Sequence, residues 1–251
     1  VRSLPARRGR ADAGQWALDW VRVRRFARDW GALLAIIAIY FVLRGQAPAN
    51  EDFAVRITGY LVDLEQATHT FWEPQIQDIS IRWYAVQEAA NFVYAYLHFP
   101  VLAAVGLLLW FRRRDDFVFI RNVMYISMVI GLIFYYLIPA APPRLLALHG
   151  DDLGFTDTVF GGHTSVSYAQ PSILLNEYAA IPSFHFGWIA LAAAGLWINS
   201  SSWVLRGLGI FLSALMSWAI IASANHLIVD MVMGGVAVAA AWYLARRLES
   251  W

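Results

Sequence analysis

Cysteine is absent from the 251-residue chain. Its absence excludes a disulfide framework, a thiolate nucleophile and a cysteine-based metal site. The formal net charge is only +1, so the charge balance does not indicate a highly charged partner such as a nucleic acid. The chain also lacks a glycine-rich nucleotide loop, and its six histidines are scattered. We therefore expect no nucleic-acid partner, no bound metal and no cofactor.

Long hydrophobic runs are, by contrast, abundant. Hydrophobic residues make up 59% of the chain, against roughly 45–50% in soluble domains. They gather in several runs, and a helix needs about 20 mostly apolar residues to cross a bilayer. The pattern predicts an all-α, polytopic membrane protein with six transmembrane helices. The predicted spans are residues 30–43, 83–110, 117–138, 181–198, 204–222 and 227–244.

Three segments lie outside the predicted spans. Residues 1–29 are rich in Arg and Trp and predict a cytoplasmic leader, either a helix on an anionic membrane surface or a solvated segment. Residues 53–79 mix charged and apolar positions, which is typical of one or two amphipathic helices in the interface. Residues 139–180 form a loop that is too long for a simple connector, so we expect it to be functional. Residues 30–251 then form one membrane domain.

Arginine is distributed unevenly between the two sides of the predicted bundle. The leader, Arg112–Arg114, Arg206 and Arg246–Arg247 fall on one side. Cytoplasmic loops of membrane proteins carry an excess of basic residues. The pattern therefore predicts that both termini lie in the cytoplasm. We also expect the membrane to be a bacterial plasma membrane. The 53–79 segment and the 139–180 loop are then expected to face outward.

Two ionisable residues begin the last predicted span. His226 and Asp230 are four residues apart, which places them on one face of a helix. A carboxylate beside one imidazole nitrogen fixes the tautomer and leaves the other nitrogen free to attack or to accept a proton. The alternative is a pair that only satisfies its own polar groups. Ionisable residues are expensive in a membrane helix, however, and are commonly functional there.

Two further features lie at the same predicted outer face. His185 begins another span, where it can serve as a general acid opposite His226. Pro182 and Ser183 suit a helix start, with proline in the first turn, and helix N-termini attract phosphate. Arg144 follows two prolines, and arginine suits a bidentate grip on phosphate oxygens. Together these residues predict metal-free phosphoryl transfer through a phosphohistidine.

These motifs carry a resemblance to a known family. The runs Tyr178–His185 (YAAIPSFH) and His226–Asp230 (HLIVD) resemble the second and third signatures of the type 2 phosphatidic acid phosphatase superfamily, and Arg144 resembles the arginine of the first. Residues 64–73 and 91–100 are similar to the branch related to inositol phosphorylceramide synthases. The resemblance implies a six-helix, metal-independent membrane enzyme that acts on lipid phosphates or phospholipids.

The resemblance also implies a role for each matching residue. His226 is expected to be the nucleophile, and Asp230 is expected to orient it. His185 is expected to be the acid that protonates the leaving oxygen. Arg144 is expected to bind the phosphate.

The predicted phosphate site departs from the family pattern in its basic residues. The pattern has a lysine several residues before its first arginine, where this chain has residues 137–139 (LIP), and an arginine at the position of Ile220. We predict that Ser183 and Tyr178 contribute to phosphate binding. Four residues predicted on the outer side can supply the missing charge: Arg82, Arg56, His149 and His163. The two arginines are preferred, and interfacial anchoring is their alternative role.

Asn91, Tyr94 and His98 share one face of the second predicted span. Such a stripe either lines the substrate site or provides polar packing between helices, which membrane bundles often use. Packing is the preferred interpretation for His98, because we expect it to lie deep in the bilayer.

The acceptor of the phosphoryl group stays open at this stage. A phosphatase passes it to water, whereas a phosphotransferase passes a phospho-headgroup, such as phosphoinositol, to a lipid or glycan alcohol. A proton-coupled transporter can also use intramembrane histidines and an aspartate, but these polar residues cluster at one face. A haem-binding bundle, with His98, His185 or His226 as axial ligands, is a third interpretation. The lipid substrate and the oligomeric state also stay open.

Overall fold

The computed structural model describes residues 11–48, 50–149, 153–160, 164–167 and 171–249. Within these ranges the chain forms helices and no strand, apart from an isolated bridge between Ala140 and Ala179. The α-helices are α1 (Ala11–Gly45), α2 (Glu51–Ala67), α3 (Glu73–Ile81), α4 (Tyr84–Phe92), α5 (His98–Arg112), α6 (Arg114–Leu137), α7 (Phe184–Asn199), α8 (Trp203–Ala222) and α9 (Ile228–Glu249). A π-helical turn, Val93–Leu97, joins α4 to α5, and 3-10 turns cover Pro143–His149 and Ser172–Leu174.

Five helical segments of the described chain are long and apolar enough to cross a membrane. They are Trp20–Gly45, Tyr84–Arg112, Arg114–Leu137, Trp203–Ala222 and Ile228–Leu248. A sixth helix, α7, is apolar and shorter. The predicted all-α, polytopic membrane fold is therefore confirmed. The first span is longer than the predicted 30–43, because the helix continues through the arginine-rich residues before it.

Residues 1–39 and residues 40–251 are two separate compact units. The first contains the described residues of α1 up to Ile39. The side chains of Leu34 and Ile39 are largely exposed there, as expected for a helix with lipid around it. The second unit contains the last turn of α1, the other helices and the candidate site.

α7 is the central helix of the second unit, where it packs against α5, α6, α8 and α9. The ring of Trp188 stacks on that of Phe184, with centroids 5.0 Å apart. The indole N–H of Trp188 donates to Oγ of Ser127 at 3.0 Å. A buried indole whose N–H has a partner contributes both packing and orientation. These contacts fix the rotation of the helix that carries His185.

α7 and α9 approach each other closely at two glycines. A Cβ atom at Gly234 would lie 2.1 Å from the backbone oxygen of Ser183, and one at Gly187 would lie 2.9 Å from the backbone oxygen of Gly234. The Ser183 N–H also donates to the backbone oxygen of Asp230 at 2.9 Å. Small residues allow membrane helices to approach to this distance. The start of α7 is therefore fixed against the first two turns of α9.

The second span changes its helical period just before Pro100. Proline has no N–H to donate, and its ring clashes with the preceding turn. Such a residue is tolerated in a span where a local 3-10 or π adjustment satisfies the backbone, and here the turn Val93–Leu97 is π-helical. This turn carries Tyr94 and leads into His98, and both side chains reach the candidate site.

The predicted amphipathic segment forms two helices, α2 and α3. Asn50 caps α2, since its side chain accepts a hydrogen bond from the N–H of Phe53 at 3.0 Å. α2 packs against α9 and the Pro143–His149 turn, and α3 packs against α8. Through these contacts α2 and α3 reach α9 and α8 respectively, the two helices that the α8–α9 connection joins.

Candidate active site

One open cleft collects five of the residues that the sequence singled out. Its walls include Arg144 from the turn after α6, His185 from the first turn of α7 and His226 from the α8–α9 connection. Tyr94 and His98 of the second span lie in the same wall. Of the four residues to which the family resemblance assigns a role, the structure thus brings three to one cleft. The fourth, Asp230, lies beside His226.

The connection before His226 is a Schellman motif at the end of α8. The Asn225 N–H donates to the oxygen of Ile220 at 3.0 Å, and the Ala224 N–H donates to that of Ile221 at 2.8 Å. The motif needs a left-handed residue, most often glycine, and here Ala224 has a φ of 50°. A left-handed alanine costs roughly 1–2 kcal/mol, so the surrounding structure must hold it in place.

Asp230 lies in the first turn of α9, beside His226. Its Oδ2 accepts a hydrogen bond from the Leu227 N–H at 2.9 Å and lies 3.5 Å from Nδ1 of His226. The backbone contact fixes the carboxylate, as the acidic residue of a capping box does. The carboxylate in turn favours the orientation with Nδ1 towards it. Nε2 is then the nitrogen available for chemistry.

His185 faces His226 across the cleft. The centroids of the two imidazoles are 5.7 Å apart, with an angle of 53° between the rings. The His185 ring also packs against Tyr94 at 4.6 Å. Because His185 comes from α7 and His226 from the α8–α9 connection, the two side chains can reach one small group from two sides.

His98 lies directly beside His185. Its ring is 5.0 Å from that of His185 and stacks on Trp188 at 5.6 Å. The side chain is only 4% exposed, so it does pack between helices, as the sequence suggested. His98 also lies in the wall of the cleft, which the preferred interpretation as a packing residue did not predict.

Asp157 of the long loop is held between two side-chain amides. Gln77 donates from Nε2 to the Thr156 oxygen at 2.8 Å and accepts from the Thr156 N–H at 2.9 Å. Asn91 donates from Nδ2 to the Thr158 oxygen at 2.8 Å and accepts from Oγ1 of Thr158 at 3.1 Å. The two amides therefore tie this part of the loop to α3 and α4.

Arg144 is held by several contacts and is only 5% exposed. Its Nε donates to Oδ1 of Asn225 at 3.2 Å, and its Nη1 donates to Oδ2 of Asp157 at 3.1 Å. The guanidinium lies 4.5 Å from the centre of the Phe160 ring. These contacts couple the arginine to the residue directly before His226.

Two acidic residues beside Arg144 were not predicted. Oδ1 of Asp157 accepts from the N–H groups of Val159 and Phe160, at 3.0 and 2.8 Å. Glu177 lies in the cleft wall, with Oε1 4.0 Å from Nη2 of Arg144 and its side chain 41% exposed. Both belong to the loop that the sequence marked as functional. Only their distances from the Arg144 guanidinium in the folded protein distinguish them from ordinary surface acids.

Arg44 supplies a second guanidinium to the wall of the cleft. Its Nη2 donates to the backbone oxygen of Asn176 at 3.2 Å, and Nδ2 of Asn176 donates to the backbone oxygen of Arg44 at 2.9 Å. The sequence pattern did not single out this arginine, which directly follows the first predicted span. Its position makes it a candidate for the cation that the family pattern leads one to expect.

Arg82 and Arg56 do not line this cleft. Arg82 pairs with Asp78 one turn earlier on its helix, and the two side chains are 64% and 58% exposed. Arg56 is exposed, with its guanidinium 5.8 Å from the centre of the Phe53 ring. A role for either arginine at the phosphate stays a prediction that the cleft geometry does not support.

Ser183 and Tyr178 lie close to the site without lining it. Ser183 precedes α7 as its N-cap, so α7 begins after the two residues expected in its first turn, and the Ser183 hydroxyl has no hydrogen-bond partner among the described residues. Burial and neighbouring carboxylates raise the pKa of Tyr178. The side chain of His149 and the whole of His163 lie outside the described residues.

No group of three His, Asp or Glu side chains in the described ranges is arranged to hold a metal ion. Metal independence stays a prediction that rests on the family resemblance.

Comparison with known proteins gives a family and a distant relative. The family model described as PAP2 superfamily matches residues 59–245. The phosphoinositol dihydroceramide synthase of Bacteroides thetaiotaomicron is 26% identical over 168 residues, which are 62% of this chain and 54% of that protein. The chain therefore spans about half the length of this curated relative. No solved structure matches the chain.

Proposed function

The chain belongs to the PAP2 superfamily, and on this basis we propose that it transfers the phospho-headgroup of a membrane lipid through a phosphohistidine at His226. The observation that carries the proposal is the pair of imidazoles of His226 and His185, 5.7 Å apart in the cleft that also contains Arg144. An alcohol is the proposed acceptor. Hydrolysis is the second candidate, and it follows the same path with water in place of the alcohol.

The first half-reaction forms the covalent intermediate. Nε2 of His226 attacks the phosphorus of the donor lipid and forms a P–N bond. The bond between phosphorus and the leaving oxygen breaks, and its electron pair stays on that oxygen. Protonated His185 donates its proton to the same oxygen, so that a neutral alcohol leaves. Asp230 stabilises the positive charge that develops on the His226 ring.

The second half-reaction releases the product and restores the enzyme. His185, now neutral, accepts the proton of the acceptor hydroxyl while the hydroxyl oxygen attacks phosphorus. The P–N bond breaks, and its electron pair returns to Nε2 of His226. Both histidines then have their starting protonation states.

The charges around the cleft favour a phosphodiester donor. Phosphoryl transfer depends mainly on positioning and on neutralising the phosphate oxygens, for which Arg144 and Arg44 provide two guanidinium groups. Asp157 and Glu177 offset part of that positive charge, because they lie 3.1 and 4.0 Å from the Arg144 guanidinium. A phosphodiester carries one negative charge, whereas a phosphomonoester can carry two. The reduced positive charge therefore favours transfer from a phospholipid over hydrolysis of a lipid monophosphate.

The same carboxylates suit a headgroup that is rich in hydroxyls. An ionised carboxylate only accepts hydrogen bonds, and a hydroxyl can donate one. Glu177 is accessible in the cleft wall for such a contact. The name of the Bacteroides relative contains a phosphoinositol group, which is a polyol phosphate. We therefore assign a polyol phosphodiester as the donor class and a lipid or glycan alcohol as the acceptor class.

The arginine distribution supports an outward-facing site. The basic residues near the ends of α5, α8 and α9 predict cytoplasmic termini by the positive-inside rule. The cleft is then open to the outer face of a bacterial plasma membrane, where the phosphohistidine chemistry is proposed to take place.

A transfer assay with defined lipids tests the proposal. The purified protein, in lipid nanodiscs, is given phosphatidylinositol, phosphatidylglycerol or phosphatidic acid, with and without ceramide as acceptor. Mass spectrometry measures new lipids, and a colorimetric assay measures free phosphate. We expect a new phosphodiester lipid only when the acceptor is present. His226→Ala should abolish it, and His185→Ala should lower turnover by about 10²–10⁴-fold.

The matched control is His69→Asn. His69 is exposed and outside the cleft, and asparagine tolerates its left-handed φ of 56°. This variant should keep the wild-type rate. Wild-type turnover by His226→Ala on every accepted donor would contradict the mechanism. Release of free phosphate from phosphatidic acid alone would assign hydrolysis instead of transfer.

A further inference from the structure

Two glutamates are buried beside the start of α9, outside the proposed catalytic set. Glu65 of α2 is 2% exposed and Glu73 of α3 is 0% exposed. Burying a charge without compensation is costly, so buried carboxylates are normally paired, hydrogen-bonded or protonated. Their contacts must therefore explain how they are tolerated.

The turn between α2 and α3 brings the two side chains together. α2 ends in a Schellman motif, in which the Thr70 N–H donates to the Glu65 oxygen at 2.8 Å and the His69 N–H donates to the Gln66 oxygen at 3.1 Å. His69 occupies the left-handed position of this motif. The chain thereby reverses its direction, and α3 starts with Glu73 next to the last turn of α2.

Both glutamates bind the first turn of α9. Oε1 of Glu73 accepts from the Ile228 N–H at 2.7 Å, and Oε1 of Glu65 accepts from the Val229 N–H at 2.6 Å. Asp230 accepts from the N–H of the preceding residue, Leu227. Three consecutive backbone donors at this helix start are therefore satisfied by three carboxyl groups, and two of these come from other helices.

The second oxygens of the pair need a proton. Oε2 of Glu65 and Oε2 of Glu73 are buried and have no other hydrogen-bond donor among the described residues. Burial, the contact with the Glu73 carboxyl and the charge of Asp230 raise the pKa of Glu65 from 4.5 to about 9. A neutral Glu65 can donate a hydrogen bond to the Glu73 carboxylate. Because the pair then holds one proton, its negative charge beside Asp230 is smaller by one.

We infer that Glu65 and Glu73 share one proton and act as a positioning pair, which fixes the first turn of α9 and thereby the placement of His226 and Asp230. The pair touches neither substrate nor reacting atoms, and its effect on turnover rests on the proposed role of His226. It also links the two amphipathic helices to the helical turn that follows the proposed nucleophile. A displacement of His226 by a small distance is enough to slow the chemistry, because near-attack geometry is strict.

Substitutions of Glu65 distinguish a role as hydrogen-bond donor and acceptor from a role that depends only on side-chain volume. In Glu65→Gln, the amide oxygen can accept from the Val229 N–H, and the amide N–H can donate to Glu73 as the acid did. We expect this variant to keep kcat within about twofold. Glu65→Ala leaves the Val229 N–H and the Glu73 carboxylate unsatisfied, so kcat should fall by roughly 10- to 100-fold with little change in KM. Asp63→Ala, an exposed acid on the same helix, is the matched control and should be neutral.

Two outcomes of the kinetic experiment would overturn the inference. Equal losses in Glu65→Gln and Glu65→Ala would exclude a replaceable proton donor. Wild-type kcat in Glu65→Ala would exclude positioning. Absence of any phosphohistidine in the wild type would instead refute the proposed function, while the infrared spectra below still decide whether the pair shares a proton.

Infrared spectroscopy tests the shared proton without any turnover. The wild-type minus Glu65→Gln difference spectrum at pH 7 should contain the C=O stretch of one protonated carboxyl. The wild-type minus Asp63→Ala spectrum should lack it. A Glu65→Gln difference spectrum that shows only the bands of an ionised carboxylate would overturn the inference, even if Glu65→Ala fails to fold.

Discussion

At the scale of single residues, the main feature of the cleft is an arginine whose guanidinium is fixed by hydrogen bonds. The Arg144 guanidinium uses Nε for Asn225 and Nη1 for Asp157, so its orientation is set before any phosphate arrives. Planar guanidinium geometry makes these simultaneous contacts possible, whereas an ammonium group is a point charge on a flexible stem. Preorganisation of this kind lowers the cost of orienting charge during the reaction.

Arg144→Lys tests this geometry with the charge conserved. A lysine cannot keep both side-chain contacts at their present angles, and a hydrogen bond to a charged group contributes about 1.5–3 kcal/mol. We expect kcat/KM for the donor lipid to fall by roughly 10- to 100-fold, measured in the transfer assay. Arg82→Lys, in the exposed turn that follows α3, should change it by less than about twofold. Equal effects in the two variants would remove Arg144 from the phosphate site.

The sequence reveals the residues that belong to short motifs. His226 and Asp230 are close along the chain, and their spacing is visible in one helical turn. The contacts of Glu65 are not visible in this way, because its backbone partner is 164 residues away. The position of Arg44 depends likewise on its contacts with Asn176, which is 132 residues away. Long-range distances of this kind are products of packing and leave no local pattern.

At the scale of elements, the site depends on the contact between α7 and α9. These two helices carry His185 and the Asp230 that accompanies His226. Gly234 lets the backbones approach until the Ser183 N–H can donate to the Asp230 oxygen. The separation of the two imidazoles is therefore set by backbone contact rather than by adjustable side chains.

Gly234→Ala should push the two helices apart. The new Cβ atom would meet the Ser183 backbone oxygen at 2.1 Å, and overpacking of this kind costs about 1–3 kcal/mol. We expect a lower melting temperature and a lower kcat, measured by thermal unfolding and the transfer assay. At Gly235 an added Cβ would make an ordinary 3.5 Å contact with Phe186. Gly235→Ala should therefore stabilise the helix slightly, and a destabilisation as large as that of Gly234→Ala would argue against the backbone contact.

The elements themselves were largely predictable, and their irregularities were not. Hydrophobic runs identified the spans because lipid imposes a helical backbone on any segment that crosses it. The two amphipathic helices followed from the mixture of charge and apolar positions in residues 53–79. The π-helical turn before Pro100 could not be predicted, because several local adjustments can accommodate a proline.

At the scale of the whole molecule, the orientation in the membrane rests on the arginine distribution. All nineteen basic residues are arginines, and the chain contains no cysteine. A cysteine introduced at one position is then the only thiol in the protein. The sequence thus provides a clean background for measuring which loops face outward.

Single-cysteine labelling in intact cells tests the proposed orientation. Ile173 lies in the loop before α7 and is 62% exposed, and Ser201 lies in the exposed turn between α7 and α8. A membrane-impermeant maleimide should label Ile173→Cys in intact cells. It should label Ser201→Cys only after the membrane is opened. The opposite pattern would place the cleft on the cytoplasmic side.

The two amide contacts around Asp157 have a consequence for how the loop can change over evolutionary time. Gln77 and Asn91 hold Thr156 and Thr158 from the helices, so the position of Asp157 does not depend on the length of chain on either side. Insertions and deletions elsewhere in residues 139–180 can then alter the rim of the cleft while the carboxylate beside Arg144 stays in place. Substrate preference can diverge by changes in loop length alone, with the reaction chemistry left intact.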